Sequence, residues 1–515
     1  MRPVKKSVVI IALFVLSCSL VATAALAIHY GIKKGIPCKN CNVVIIDIDL
    51  LRADSLPCYG YRRNTAPNLC KFAGQATLFK QNYSQADWTL PSMFSTITSL
   101  YPWAHGVNSI FVNRLSPAVT TMAEQFRANG YNTSFVGPVS TATINSANGG
   151  DRGFDSLVDI SWEEGLKNLQ RQNKPFFVHF YSVNFHLPYL LENDGDQIED
   201  LPKPKGLPIT QDEFDIASGE YIKKNYQNIF TKKAIAQRPE LFDDNTPDAN
   251  RRLTEYFYSQ YKSPFPNDYL REAWQPVYNT YMQFIDTKNP AHAAYLRMLY
   301  DTRIKEEDAK LAGLFTLLSS PQFAANTIVV VMSDHGETFG EHGSFTHQTD
   351  PYTEINYTPL IIRIPRQKSN VIQTVTSNID IFPTLLSLVG VPPVSQAQGV
   401  SLVPVIRGKT PTEKRYAVGA AVGTSFLTIQ DAEWMLLWHQ ATDSAHTLEL
   451  YHKPSDPTEQ INLAGLPQYK DQENVLFSLL QKIRNDTNVP LAVPSVVPSW
   501  MDQKTLERLR REGYF

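Results

Sequence analysis

Two short runs constrain this 515-residue chain more than any other feature: "NVVIIDID" at residues 42–49 and "NTIVVVMSDHG" at 326–336. Each is a β-branched stretch without polar alternation, the pattern of a strand buried on both faces of a parallel sheet. Each ends in acid, the second in acid and histidine. A carboxylate at the exit of an apolar strand costs free energy unless it is paired or bound to a cation. Between the two runs lie the amphipathic "TTMAEQFRANGY", a helix stopped by glycine, and the strand-like "YNTSFVG" and "PFFVHFYS". Strands alternating with helices predict an α/β domain with a central, mostly parallel sheet flanked by helices. Ligands of such sheets gather at the carboxyl ends of the strands, where both acidic ends fall.

That domain is expected over residues 42–405, with an insertion from about 190 to 290. There the rhythm breaks: "LENDGDQIEDLPKPKGLP" is polar and Pro-rich, and the stretch after it is crowded with tyrosine. The insertion reads as a cover over one face rather than a separate core. "VIRGKTPTEKR" marks a linker. Residues 410–515, with "FLTIQDAEWMLLWHQ" and "TLELYHKP", read as a small antiparallel α+β subdomain.

At the N-terminus, Arg2, Lys5 and Lys6 precede 22 residues without a charge, "SVVIIALFVLSCSLVATAALAI". The run is long enough to cross a hydrocarbon core. Residues 1–30 therefore read as a signal anchor with the basic end inside and the remainder facing the periplasm or extracellular side. The "ALA" at 25–27 keeps open a cleaved signal peptide and a secreted protein. The formal net charge of -2 argues against nucleic acid as a dedicated partner. Cys18 lies in the apolar run; Cys38, Cys41, Cys58 and Cys70 remain for one or two structural bridges, with three full pairings open.

Asp47 and Asp49 alternate along their strand and so point to one face. Asp334 and His335 supply mixed oxygen and nitrogen ligands for a divalent cation. Thr89, in "DWTLPSMF", stands where a helix starts. By itself it reads as a cap, although a helix N-terminus also favours an anion.

The stretches "DLLRADSLPCYGYRRNTAPNL", "TLPSMFSTITSLYPWAHGV", "KPFFVHFYSVNFHLPY", "SDHGETFGEHGSFTH", "YTPLIIRIP", "IDIFPTLLSLVGV" and "QGVSLVPVIRG" occur in an order and spacing that resemble the sulfatase family of the alkaline phosphatase superfamily. "LYHKPSDPTEQINLAG" and the terminal "LERLRREGYF" are similar to that family's C-terminal part, so the resemblance covers about residues 42–515 apart from the insertion. It implies an alkaline-phosphatase-like sandwich with a small C-terminal subdomain. It also implies one divalent metal ion (Ca, Mg, Mn or Zn) on Asp49, Asp334, His335 and Thr89, with Asp47 a weaker ligand candidate. Two-metal relatives carry an Asp-x3-His pair between the substrate histidine and the final Asp-His. The only histidine in that interval is His292, and Lys288 stands four residues before it, which favours a single metal.

Thr89 falls on the nucleophile position, the first of a C/S-x-P-x-R signature. Threonine cannot become formylglycine, so none is expected, and Met93 stands in place of the signature's arginine. Threonine is the nucleophile of phosphorus-directed relatives: phosphoethanolamine and glycerophosphate transferases and nucleotide phosphodiesterases. The resemblance therefore implies a hydrolase or transferase acting through Thr89 on a phosphate or sulfate ester; the insertion, rich in aromatics, is expected to shape a pocket for a sugar or lipid head group. A sulfatase proper is the alternative enzyme, and a metal-binding non-catalytic protein the alternative of another class. His186 matches the substrate-side histidine. His347 lies where sulfatases usually carry lysine, while His105 and Asn108 are weaker substrate candidates. Pro138 and Ser140 replace the lysine and histidine of a "GKWH" segment. His179, inside "FFVHFYS", reads as a core histidine.

Overall fold

A computed structural model describes residues 38–108, 114–139, 143–172, 174–192, 195–225, 242, 245–260, 278–347, 351–421, 426–439 and 447–485. The apolar run at 7–28 and the terminal "LERLRREGYF" lie outside these residues. No helix among the described residues is long and apolar enough to cross a membrane.

The two acid-tipped runs form neighbouring strands, Asn42–Ile48 and Thr327–Met332, at the centre of an eight-stranded sheet. Phe176–Ser182, Asn132–Val136 and Ser156–Val158 continue it on one side; Leu360–Arg363, Thr77–Phe79 and Asn370–Ile372 continue it on the other. Leu360–Arg363 alone runs against the rest, pairing antiparallel with both neighbours. All other pairs are parallel.

Both faces of the sheet are covered, which is why the central strands lack polar alternation. Val43, Ile45, Phe177, Ile328 and Val330 face one core, together with the buried helix Thr89–Thr98. Val44, Ile46, Val178, Val329 and Val331 face the other, against the long helix Pro290–Ser319. Leu207, Ile209, Phe214, Tyr281 and Ile285 of the insertion join this second core. Its helices Gln211–Asn225 and Pro247–Gln260 pack against each other.

A four-stranded antiparallel sheet follows: Ala417–Ala420, Phe426–Gln430, Trp434–His439 and Thr447–His452. Helix Lys470–Asn485 lays Leu476 and Leu480 on it. Among its contacts with the main domain, the Ala420 amide donates to the Gln85 carbonyl at 2.9 Å, four residues before Thr89. The four described cysteines form two bridges, Cys38–Cys41 and Cys58–Cys70.

Candidate active site and metal centre

In the central pair of strands Asp47 stands opposite Met332, so the residues just beyond leave the sheet side by side. There Asp49, Asp334 and His335 meet, each buried, with one ligand atom from each lying within 4.8 Å of the others. His335 Nε2 is 3.4 Å from Asp49 Oδ1 and 3.7 Å from Asp334 Oδ2. Local contacts hold the loops in register. The Asp49 amide donates to Ser182 O at 2.9 Å; Ser333 Oγ accepts from the Leu51 amide at 2.9 Å and donates to His335 O at 2.8 Å. Gly336 is required here, because a Cβ would stand 2.1 Å from the Glu354 carbonyl oxygen.

The tautomer of His335 follows from its neighbours. Nδ1 is 2.9 Å from the Gly336 carbonyl, which only accepts, so Nδ1 carries the proton and Nε2 presents a lone pair to the two carboxylates. Asp49 Oδ1 and Asp334 Oδ2 are buried and make no hydrogen bond. Burial, and then Asp334, raise the Asp49 carboxyl well above its ordinary range. Burial likewise raises Asp334, and burial with His347 pushes His335 well below its ordinary value. Two orphaned carboxylate oxygens facing one imidazole lone pair form a donor set that fits a divalent cation.

Thr89 is the first residue of helix Thr89–Thr98 rather than its cap, a place taken by Trp88 with no side-chain bond. Pro91 is tolerated in the first turn, where amides have no intrahelical partner. Freed from capping, the Thr89 hydroxyl lies 3.3 Å from His335 Nε2. The helix start thus brings Thr89 to the candidate metal-binding group.

His347 joins the same place from the hairpin Thr338–Phe339/Phe345–Thr346. Its ring centroid is 4.8 Å from His335 and 4.8 Å from His186. Burial, then His347 and His335, depress His186 well below an ordinary imidazole. Behind His347 stands buried Glu337: Nδ1 and Oε1 are 3.4 Å apart, while Glu337 Oε2 accepts from the Tyr189 hydroxyl at 3.0 Å.

Other candidates are placed elsewhere. Asp47, expected as a weak ligand, is absent from the metal-ligand group; its Oδ2 takes His179 Nε2 at 3.1 Å across adjacent strands. The physical reason is the pleat: Asp47 belongs to the strand and faces its neighbour's histidine, whereas Asp49 has left the ladder. His105 is consumed by its own turn. Its Nδ1 accepts from the Val107 amide at 3.0 Å, and Nε2 lies 3.2 Å from the Pro91 carbonyl and 3.1 Å from Ser95 Oγ. Asn108 is half-buried beyond it, with no hydrogen bond to Oδ1. His292 accepts the Asp286 amide at 2.9 Å, outside the group. Met93 is buried in the apolar core one turn past Thr89. Ser140 lies outside the described residues, next to Pro138.

Two residues at the site escaped sequence reasoning. Glu337 is carried by the "SDHGE" motif itself, but its partner is ten residues away in a hairpin. Tyr181, on strand Phe176–Ser182, is buried beside Thr89 and Asp49. The period-2 alternation that puts it on the face of Asp47 was the available signal.

Known proteins resemble this chain in sequence and fold. Over 495 residues the chain is 22% identical to the N-acetylglucosamine-6-O-sulfatase of Bacteroides thetaiotaomicron, covering 86% of each. A protein solved in complex with its substrate D-glucosamine-2-N,6-O-disulfate superposes with a TM-score of 0.60 at 19% identity, over 88% of this chain and 99% of that one. The phosphonate monoester hydrolase of Agrobacterium radiobacter gives 0.59 at 17% identity, over 86% and 95%. The N-sulphoglucosamine sulphohydrolase C-terminal model matches residues 340–486. The sulfatase model matches residues 41–391, more than half of the chain, and the chain belongs to the sulfatase family.

Proposed function

We propose that the protein is a metal-dependent ester hydrolase that uses Thr89 as nucleophile on a sulfate or phosphate ester of a sugar. The observation that carries this reading is the Thr89 hydroxyl, 3.3 Å from His335 Nε2 at a helix start, with an orphaned oxygen of Asp49 and another of Asp334 around the same imidazole. Asp49, Asp334 and His335, with the Thr89 oxygen, would hold the divalent cation. When bound, it supplies charge that favours the threonine alkoxide and polarises the ester.

The chain's own residues do the rest. Thr89 Oγ bonds to sulfur or phosphorus as the ester oxygen departs, and the hydroxyl proton passes to solvent. His186, kept neutral by burial and its neighbouring imidazoles, offers a hydrogen bond to the transferred group. His347, with Nδ1 3.4 Å from Glu337 Oε1, relays a proton from solvent through Nε2 to the departing oxygen, balancing the one that Thr89 releases. Water then cleaves the threonine ester and restores Thr89. The names of two relatives, an N-acetylglucosamine sulfatase and a protein bound to a glucosamine disulfate, support a sugar as the alcohol.

The apolar run behind Lys5 and Lys6, with the two disulfides, supports export to the periplasmic or extracellular side, anchored or released after cleavage. N-terminal sequencing of the mature protein separates the two; a cytosolic, fully reduced protein would sink export altogether. For the chemistry, the full chain is assayed with Mg2+, Ca2+, Mn2+ or Zn2+ on sugar sulfates, sugar phosphates and lipid head-group phosphates. Intact mass then reports a substrate-dependent gain of one sulfuryl or phosphoryl group, absent in Thr89→Ala. Unchanged product release by Thr89→Ala would overturn the nucleophile.

A further inference from the structure

The edge of the main sheet opposite the candidate metal site is basic. Connections there expose Lys39, Lys71, Arg171, Lys174, Arg366 and Lys368. Lys39 precedes strand Asn42–Ile48, Lys71 precedes Thr77–Phe79, and Arg171 and Lys174 precede Phe176–Ser182. Arg366 and Lys368 follow the antiparallel Leu360–Arg363, whose end pairs with Val329, and precede Asn370–Ile372, which starts beside Thr77. None of these side chains closes an ion pair with a described residue. Asp151 and Asp155 stand in the connection entering Ser156–Val158, and Asp155 is matched by Arg127 at 3.0 Å. Just inside the same edge Arg363 is buried over Phe72, 5.2 Å from the ring centroid, with no hydrogen bond to any guanidinium nitrogen. Burial lowers it only to about 10, so it stays charged at neutral pH.

The whole chain has a formal net charge of -2, so this edge is a local excess held against its own repulsion. What it faces follows from where the chain enters. The Cys38 amide donates to Leu388 O at 3.1 Å, which fixes the entry of the polypeptide at this same edge. Residues 29–37 separate Cys38 from the apolar run, and such a length of chain spans at most about 30 Å.

We propose that this edge sits on an anionic membrane surface, that of the bilayer holding the apolar run. The proposal rests on the export reading and goes beyond it. A tether this short keeps the edge at a high effective concentration beside the bilayer. Each exposed Lys or Arg then gains attraction to anionic head groups, within a Debye length of about 10 Å. The 7 residues of strand Asn42–Ile48 separate the basic edge from Asp49. The candidate metal site therefore opens away from the bilayer, about 20 Å above the seated edge.

Lysine acylation tests this on the full-length chain. The protein is held in nanodiscs of phosphatidylcholine, alone or with about 30% phosphatidylglycerol, and treated with a membrane-impermeant succinimidyl ester, each lysine being read by mass spectrometry. Lys71, Lys174 and Lys368 are expected to react at least about tenfold more slowly in the anionic discs and to recover in about 0.5 M NaCl. Lys203 and Lys310, paired with Glu213 and Glu192, should keep one rate in both lipids. In a Lys71→Glu/Lys174→Glu/Lys368→Glu variant, Lys39 should react equally fast in both discs, with Tm and turnover of a soluble ester unchanged. Equal rates at the three lysines in both lipids overturn the proposal. Protection by a DNA duplex but not by lipid also overturns it and makes the partner a soluble polyanion. If N-terminal sequencing finds the apolar run removed, the released chain must co-sediment with phosphatidylglycerol vesicles and not with phosphatidylcholine; recovery in both supernatants overturns the seat. A cytosolic, reduced protein that still shows the lipid footprint sinks export alone, and Thr89→Ala should leave the footprint as it is.

Discussion

The imidazole of His347 stands perpendicular to that of His186, with 4.8 Å between ring centroids and 86° between planes. Behind His347, Nδ1 lies 3.4 Å from Glu337 Oε1, and the second Glu337 oxygen accepts from the Tyr189 hydroxyl. Glu337 touches no reacting atom and acts through His347. Glu337→Gln is expected to lower kcat about 10- to 100-fold with little change in KM. In a Glu337→Gln/His347→Gln double variant the loss should equal that of His347→Gln alone; additive losses in steady-state kinetics would show that the two act independently.

Metal-free protein should be unusually sensitive to rising pH. Burial raises the folded-state carboxyls of Asp49 and Asp334 above their unfolded values, and repulsion from Asp334 raises Asp49 further. The folded chain therefore retains protons that the unfolded chain loses, and stability falls as pH rises from the ordinary carboxylate range near 4. A divalent cation should reverse the loss, adding about 2.7 kcal/mol at one hundred times its Kd. Asp334→Asn should be more stable than wild type without metal, and respond little to it. Denaturant titrations with chelator or Mg2+ at several pH values check both statements.

Met93 is a core residue at a position where a cation would be expected by analogy. Met93→Leu should cost less than about 1.5 kcal/mol. Met93→Ala should cost about 2–5 kcal/mol through the cavity left. Turnover of the folded Met93→Leu protein should be unchanged; a large fall in kcat with normal unfolding midpoints would show that the thioether takes part in the chemistry.

His342, at the tip of the hairpin that carries His347, titrates in the opposite sense. Burial lowers it, but Glu354 at 2.7 Å and the Glu459 carbonyl at 2.9 Å outweigh burial and hold it at about 9. Its ring also lies flat on Tyr352, 3.7 Å between centroids. A raised folded value stabilises fully below the unfolded value near 6.5, and that stability is lost as pH rises through about 9. The stability difference between wild type and His342→Gln should therefore shrink from pH 6 to pH 10. A difference that stays flat across that range rules out the ionic clasp.

What was legible in the sequence was local. The apolar runs announced central strands because burial on both faces leaves no alternation, and their acidic tips landed side by side because parallel neighbours share a register. Thr89, His186 and His347 could be singled out from motif order, although the distances joining them to His335 depend on elements far apart in the chain. Period-2 alternation alone put Asp47 with Asp49. In the structure Asp47 Oδ2 meets His179 across the ladder, while Asp49 lies beyond the strand end with Asp334 and His335. Tyr181 and Glu337 were hidden because a tyrosine in an apolar strand and a glutamate in a loop have many ordinary uses. Only tertiary contacts reveal which partners they face. The disulfides were undecidable for the same reason: four cysteines allow three pairings, and only the folded backbone chooses Cys38–Cys41 and Cys58–Cys70.

The hydrogen bond from the Ala420 amide to the Gln85 carbonyl joins the small antiparallel sheet to the segment that leads into Thr89. Thr89, the proposed nucleophile, is thus suspended between two sheets, one of which contributes no reacting group. Clipping or exchanging the C-terminal module would release one mooring of Thr89 while leaving every ligand side chain in the sequence. The two parts of the chain are therefore one inheritable machine, and recombination between relatives at the linker near residue 410 should yield folded halves that do not work together.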